Sequence, residues 1–146
     1  MREPTAARPY GDGASSFAAA GEEQGVTCLV EAFYRHMDAL PVAQTIRSMH
    51  EADLQLSRAK LTAFLCAWLG GPNRYAELFG PISIPAAHQH LAIDEAERDA
   101  WLACMTAAVH EQPWAEIFKH YFLRAIAVPA NRVRLASVAR RAASER

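Results

Sequence analysis

Two histidines, His88 and His90, stand two positions apart in PAAHQHLAIDEAERDAW, just before a charged stretch that runs into Trp101. Neutral imidazole binds a metal through its free ring nitrogen, and near pH 7 it also moves protons. Alternate side chains of an extended segment point to opposite sides, so a single pocket receives one histidine of the pair. A zinc site built on both would need further ligands, and Cys28, Cys66 and Cys104 lack the CxxC spacing that usually supplies them. A cysteine hydrolase pairing Cys66 or Cys104 with a histidine lacks any nucleophile motif. Haem iron asks for less: one imidazole facing an apolar pocket on its proximal side. Residue pattern alone still favours the ordinary alternative, a satisfied or exposed histidine, and the absence of CxxCH excludes covalent c-type attachment.

The elements that must carry these residues are helical. The chain has 146 residues, 51% of them hydrophobic, enough for one domain with a real core. Leu29, Phe33, Met37 and Leu40 recur at helical spacing until Pro41 interrupts. A short segment at 42–49 follows, with Ile46 and Met49 on one side. The clearest helix runs from Leu54 to Leu69, with Ser57, Leu61, Phe64, Leu65 and Trp68 on one face, and Gly70-Gly71-Pro72 ends it. Residues 73–92, broken by Gly80, Pro81 and Pro85, read as an irregular connection that delivers His88 and His90. Asp94 and Glu97 form a capping-box pattern opening a helix to about Glu111. Pro113 suits the first turn of a last helix carrying Ile117, Phe118, Tyr121, Phe122 and Ile126, and Pro129 is expected to close it. The expected fold is all-α, with five or six helices and no repeats.

Charge excludes little but places emphasis. The net charge is −1, so no global field recruits nucleic acid or membrane. Residues 130–146 nevertheless hold five arginines and one glutamate, a local +4 against −5 elsewhere. Residues 1–21, rich in Ala, Gly, Pro and Ser, read as a loose N-terminal arm. The expected organisation is therefore a flexible arm (1–21), a helical domain (22–129) and a basic C-terminal tail (130–146). An odd cysteine count without a framework, no signal-peptide core and no apolar run of membrane length point to a soluble cytoplasmic protein.

Ordered motifs then narrow the reading. The blocks FYRHMDALP, WLGGP and ERDAWL, with Trp101 thirteen positions after His88, make the chain resemble the group II truncated haemoglobins of bacteria over about residues 10–128. The resemblance implies a globin-like, two-over-two helical sandwich that holds a b-type haem without a covalent bond. His88, with Leu91 and Ile93, satisfies the family's H-x-x-[FL]-x-I pattern and is implied as the iron ligand; His90 does not satisfy it. Trp101 matches the tryptophan that marks group II, Tyr34 the tyrosine of the FY pair, and His50 the polar position after the short second segment, with Met49 the alternative if the register slips by one. Ser57 and Leu61 correspond to distal positions, and Leu65, Trp68 and Ile93 to pocket wall.

The implied chemistry is reversible binding of dioxygen and other diatomic gases such as NO and CO. A tyrosine hydroxyl and an indole N–H are donors suited to a partly negative bound gas in a dry pocket. Taken singly, Tyr34 and Trp101 are more often ordinary core aromatics. Nitric oxide dioxygenation or peroxidase-like turnover, with an unknown reductase, lies within the family's range, and the chain is expected to be a monomer or homodimer. Two departures stand out. The R-x-R-H cluster that meets haem propionates is replaced by Pro85-Ala86-Ala87, leaving Arg74, Tyr75 or His90 to substitute. The family's glycine pair is split into Gly21 and Gly25. The departure at 85–87 favours the alternative reading, a globin-fold sensor or partner-binding module with altered or lost haem binding.

Overall fold

The computed structural model describes residues 9–79 and 91–144. Among these, regular structure is helical throughout: α1 (Ser15–Ala19), α2 (Glu22–Ala39), a 3₁₀ turn (Pro41–Ala43), α3 (Gln44–Ser48), α4 (Gln55–Trp68), α5 (Tyr75–Phe79), α6 (Glu95–His110) and α7 (Glu116–Ser144). The all-α expectation holds. Three of the seven α-helices have only five residues, and these short turns account for the excess over five or six.

Helix α2 is the organising element. Val26, Leu29, Val30, Phe33 and Met37 are at most 1% exposed and follow the i, i+3, i+4, i+7 spacing of one apolar stripe. Burying each such side chain contributes roughly 1.5–3 kcal/mol. The stripe is wide enough to meet α4 on one side and α6 on the other, and α6 in turn packs on α7. Two helices thus lie over two. Trp114 and Phe118 join the layers, their rings 5.0 Å apart, while the Trp114 indole donates to the Ala20 carbonyl at 2.9 Å.

The N-terminal arm is not loose from Pro9 onward. Phe17 and Ala20 belong to the core, and the Phe17 N–H donates to the Leu69 carbonyl at 3.0 Å. Gly70, at φ +93°, makes this possible, since a Cβ there would lie 1.9 Å from the Gly13 carbonyl oxygen. The split glycines divide another task. Gly21 takes the left-handed turn into α2 at φ +89°, and Gly25 lets the Ala20 carbonyl approach to where a Cβ would stand at 1.8 Å.

Two proline expectations need correction. Pro113 lies three residues ahead of α7 rather than in its first turn, and Pro129 does not close that helix but sits inside it. A proline there forfeits one backbone hydrogen bond and costs about 3 kcal/mol. Anchors on both sides outweigh that cost: Ile126 is buried before it, and Ser137 is fully buried after it. The capping box, by contrast, forms as expected, with the Asp94 N–H donating to Glu97 Oε1 at 3.1 Å.

Candidate functional site

Tyr34 sits on the C-terminal half of α2, 5% exposed, with its ring wedged between Phe33 (5.0 Å between centroids) and His50 (5.9 Å). Its hydroxyl donates to the Ser57 carbonyl at 3.4 Å, beyond the usual range for an O–H donor, so that bond is weak and the proton can be redirected. Ser57 therefore meets Tyr34 through its backbone. Desolvation pushes the phenol up to about 12, against the weaker opposing pull of the Arg58 charge and the Ser57 bond. Tyr34 is thus a neutral donor throughout the physiological range.

His50 follows α3. Its Nδ1 bonds the Ile46 carbonyl at 2.8 Å, and a carbonyl only accepts, so Nδ1 carries the proton. In the neutral ring Nε2 is then an acceptor, and His50 becomes a second donor only when protonated. Trp101 lies half-buried in α6, its ring 5.1 Å from that of Phe33. No acceptor for its indole N–H occurs among the described residues. Phe33, fully buried, contacts both Tyr34 and Trp101 and so sets the distance between the two donors. Sequence reasoning placed Phe33 in the core and missed this bridging position; its place beside Tyr34 in the FY pair was the available signal.

Helix α4 presents two different faces. Ala63 and Cys66 line a cleft with Thr27 and Val30 of α2. Phe64 and Trp68, half-buried, line a cavity of about 510 Å³ with Tyr121, Ala125, Val128, Pro129 and Arg132. Leu61 is likewise half-buried and Leu65 fully buried. The cavity shares no residue with the Tyr34–His50–Trp101 cluster. Ser57 and Trp68 are eleven residues apart on α4, which is about 16 Å along the helix, so cluster and cavity belong to opposite ends of it.

The remaining expected residues are spread. Tyr75, half-buried in α5, packs on Phe79 at 5.2 Å, over which the Lys60 ammonium lies at 5.7 Å. Arg74 pairs with Glu23 at 3.5 Å and lines the α2–α4 cleft, on the other side of α4 from Phe64 and Trp68. Ile93 is half-buried at the start of α6, its N–H donating to Ser137 Oγ at 2.9 Å. His88, His90 and Pro85-Ala86-Ala87 lie outside the described residues. The two buried thiols offer no competing nucleophile: burial raises Cys66, and it raises Cys104 to about 11, so both stay protonated.

The Tyr34 environment has a consequence at alkaline pH. Above its ordinary value of about 10 the unfolded chain releases a proton that the folded chain retains to about 12. Stability is therefore complete below pH 10 and falls as pH rises toward 12, by roughly 2–3 kcal/mol from this group. Urea midpoints measured near pH 9 and near pH 11 are expected to differ less in Tyr34→Phe than in the parent chain. Equal pH dependence of the two would place the phenol in water.

A buried hydroxyl with a weak internal acceptor, an imidazole beside it, an indole across one bridging ring and an apolar helix face together form a donor set in a dry setting. Such a set fits the distal side of a haem. Comparison with known proteins gives the family. The model of the bacterial-like globin family matches residues 15–133. The chain is 33% identical to the group 2 truncated hemoglobin YjbI of Bacillus subtilis (strain 168) over 93 residues, 64% of this chain and 67% of that protein. The group II 2-on-2 haemoglobin of Agrobacterium tumefaciens superposes with a TM-score of 0.78 at 30% identity, covering 92% of this chain and 98% of that one. The truncated oxygen-avid haemoglobin of Bacillus subtilis gives a TM-score of 0.73 at 26% identity, covering 81% and 97%. The chain therefore belongs to the bacterial-like globin family and, within it, to the group II truncated haemoglobins.

Proposed function

We propose that this chain holds a b-type haem without a covalent bond, through His88, and reversibly binds dioxygen and related small gases such as NO and CO. Membership of the family implies haem-based oxygen binding; the assignment of residues is the present reading. The observation that carries it is the buried Tyr34 hydroxyl, held by one long bond and joined through Phe33 to Trp101. When bound, the haem would supply an iron able to take one imidazole and a diatomic gas.

The chain's own residues do the rest. Tyr34 and Trp101 turn an O–H and an N–H toward the gas, and their shielding from water strengthens both. His50, its Nδ1 proton committed to the Ile46 carbonyl, sets its ring against the phenol ring and so limits where that ring can lie. Leu61, Leu65, Trp68 and Ile93 form apolar wall, and Ser57 fixes the phenol's resting direction through its carbonyl. Tyr75 is the described residue of the expected propionate-facing set that lies free of the α2–α4 cleft. Three free thiols suit a reducing compartment, and this reading assigns the protein to the cytoplasm. No helix among the described residues is long and apolar enough to cross a membrane.

The experiment is reconstitution. The purified chain titrated with hemin is expected to bind one equivalent, give an intense haem absorption band, and on reduction yield distinct spectra with dioxygen and with carbon monoxide. A chain that takes up no hemin would be the helical binding module instead.

A further inference from the structure

Helix α7 carries charge of one sign. From 117 to 143 it has no carboxylate, against Lys119 and arginines at 124, 132, 134, 140 and 141. Its inner side is committed to the fold. Phe118, Phe122, Ile126 and Ser137 are buried, and the Ser137 hydroxyl accepts from the Ile93 N–H at 2.9 Å and donates to the Leu91 carbonyl. Lys119 bonds the His110 carbonyl at 3.2 Å and Glu116 at 3.4 Å, Arg134 donates to Asn131 Oδ1 at 3.1 Å, and Arg141 donates to Asp94 Oδ1 at 2.6 Å. The outer side is different. Ile117, Arg124, Val128, Arg132, Leu135 and Val138 are exposed and fall within about a third of the helix circumference, along a row about 32 Å long. Ile117, Val128 and Leu135 each show half or more of their surface. Neither Arg124 nor Arg132 has a carboxylate within ion-pair distance among the described residues. Leu135 and Val138 lie beyond residue 133, where the family match ends.

We propose that this outer face of α7 docks on the surface of an anionic lipid bilayer, with the helix lying in the plane of the headgroups. The order of side chains selects the occupant. The buried centre of a protein interface is depleted of charge, whereas here Arg132 stands between Val128 and Leu135. Single-stranded nucleic acid asks for aromatic platforms on which bases stack, and this row is aliphatic. The headgroup boundary takes both components: aliphatic side chains enter it by roughly 5–10 Å, and guanidinium groups stay among the phosphates. Acidic headgroups such as phosphatidylserine, concentrated in cytoplasmic leaflets, complement the unbalanced positive charge. The rest of the chain is net negative and adds no attraction of its own, so docking is local, reversible and weakened by salt. Docking here is independent of the haem reading, since none of the row's side chains belongs to the expected haem site.

The test is co-sedimentation of the purified chain with vesicles of phosphatidylcholine and phosphatidylserine at about three to one, beside vesicles of phosphatidylcholine alone. The parent chain is expected to partition onto the mixed vesicles at about 0.1 M salt, to leave them at about 0.5 M, and to ignore the neutral ones. Arg124→Gln and Arg132→Gln are each expected to weaken partitioning about fivefold, and the pair about 25-fold. Leu135→Gln is expected to weaken it severalfold without any change of charge. Arg35→Gln removes an equal charge from α2, where Arg35 pairs with Glu111, and is expected to partition like the parent. All four side chains are exposed, so helix content by circular dichroism is expected to stay constant. Absence of partitioning by the parent overturns the proposal, as does equal partitioning onto neutral vesicles or an equal loss in Arg35→Gln. Partitioning that ignores Leu135→Gln overturns the seated face as well, because charge alone then accounts for the contact. Tighter binding to a single-stranded oligonucleotide or to polyglutamate than to the mixed vesicles would assign the face to nucleic acid or to an acidic peptide instead.

Discussion

His88→Ala is expected to lose haem more than about a hundredfold faster than the parent chain, whereas His90→Ala keeps it. Outer-shell partners of a metal ligand already account for ten- to a hundredfold in affinity, so removal of the ligand itself must exceed that. The apolar wall would retain some macrocycle by burial alone, which is why the variant is expected to bind weakly rather than not at all. The two substitutions remove the same side chain two positions apart, and any general effect of substitution there falls on both. Hemin transfer kinetics and the ferrous absorption spectrum read the difference directly. Thermal unfolding gives a second reading. Saturation at a hundred times the dissociation constant stabilises a protein by about 2.7 kcal/mol. For a chain of this length that is roughly 5–10 °C of haem-dependent shift, expected in the parent and absent in His88→Ala. Retention by His88→Ala and loss by His90→Ala would move the ligand two residues and break the match of Leu91 and Ile93 to the family pattern.

Dioxygen release is expected to quicken by roughly ten- to a hundredfold in Trp101→Phe, and comparably in Tyr34→Phe. A hydrogen bond to a charged acceptor is worth on the order of 1.5–3 kcal/mol, and the whole loss appears in the off-rate if association is unchanged. Trp101→Phe removes the N–H and leaves a ring against Phe33, so packing is largely kept. Tyr34→Phe removes only the hydroxyl and frees the Ser57 carbonyl, whose bond was already long at 3.4 Å. Carbon monoxide accepts hydrogen bonds more weakly, so its release is expected to change much less in both variants. Stopped-flow release of the two gases from three proteins decides the matter. Unaltered dioxygen off-rates in both variants would reduce Tyr34 and Trp101 to core aromatics.

Much of this molecule was legible as pattern. The stripe of α2, the glycine stop after α4 and the capping box of α6 are local: each depends on residues within one or two helical turns, where propensity and periodicity act directly. The family likeness also was legible, because it lives in ordered spacing such as that from His88 to Trp101. Boundaries drifted where a distant contact intervened. Glu22 begins α2 ahead of Val26 because Gly21 turns the chain and Gly25 admits the Ala20 carbonyl. No local signal announces that contact.

Along the single chain, then, the sequence by itself determined the helical class, the main caps, and which residues carry donors and an imidazole. Tertiary structure alone decided how the donors are related. Phe33 bridges Tyr34 to Trp101 only because α2 lies across α6, and His50 reaches the phenol only because α3 folds back. It also decided the fate of the basic C-terminus. Read locally, Pro129 and five arginines make a helix stop and a solvated tail. In the fold, Ser137 and Arg141 find the start of α6, 44 to 47 residues away in sequence, and those anchors carry the helix through a proline that costs about 3 kcal/mol. Periodicity registers which face of a helix is apolar, but an energy gained between residues so far apart is set by packing, and no window along the chain contains it.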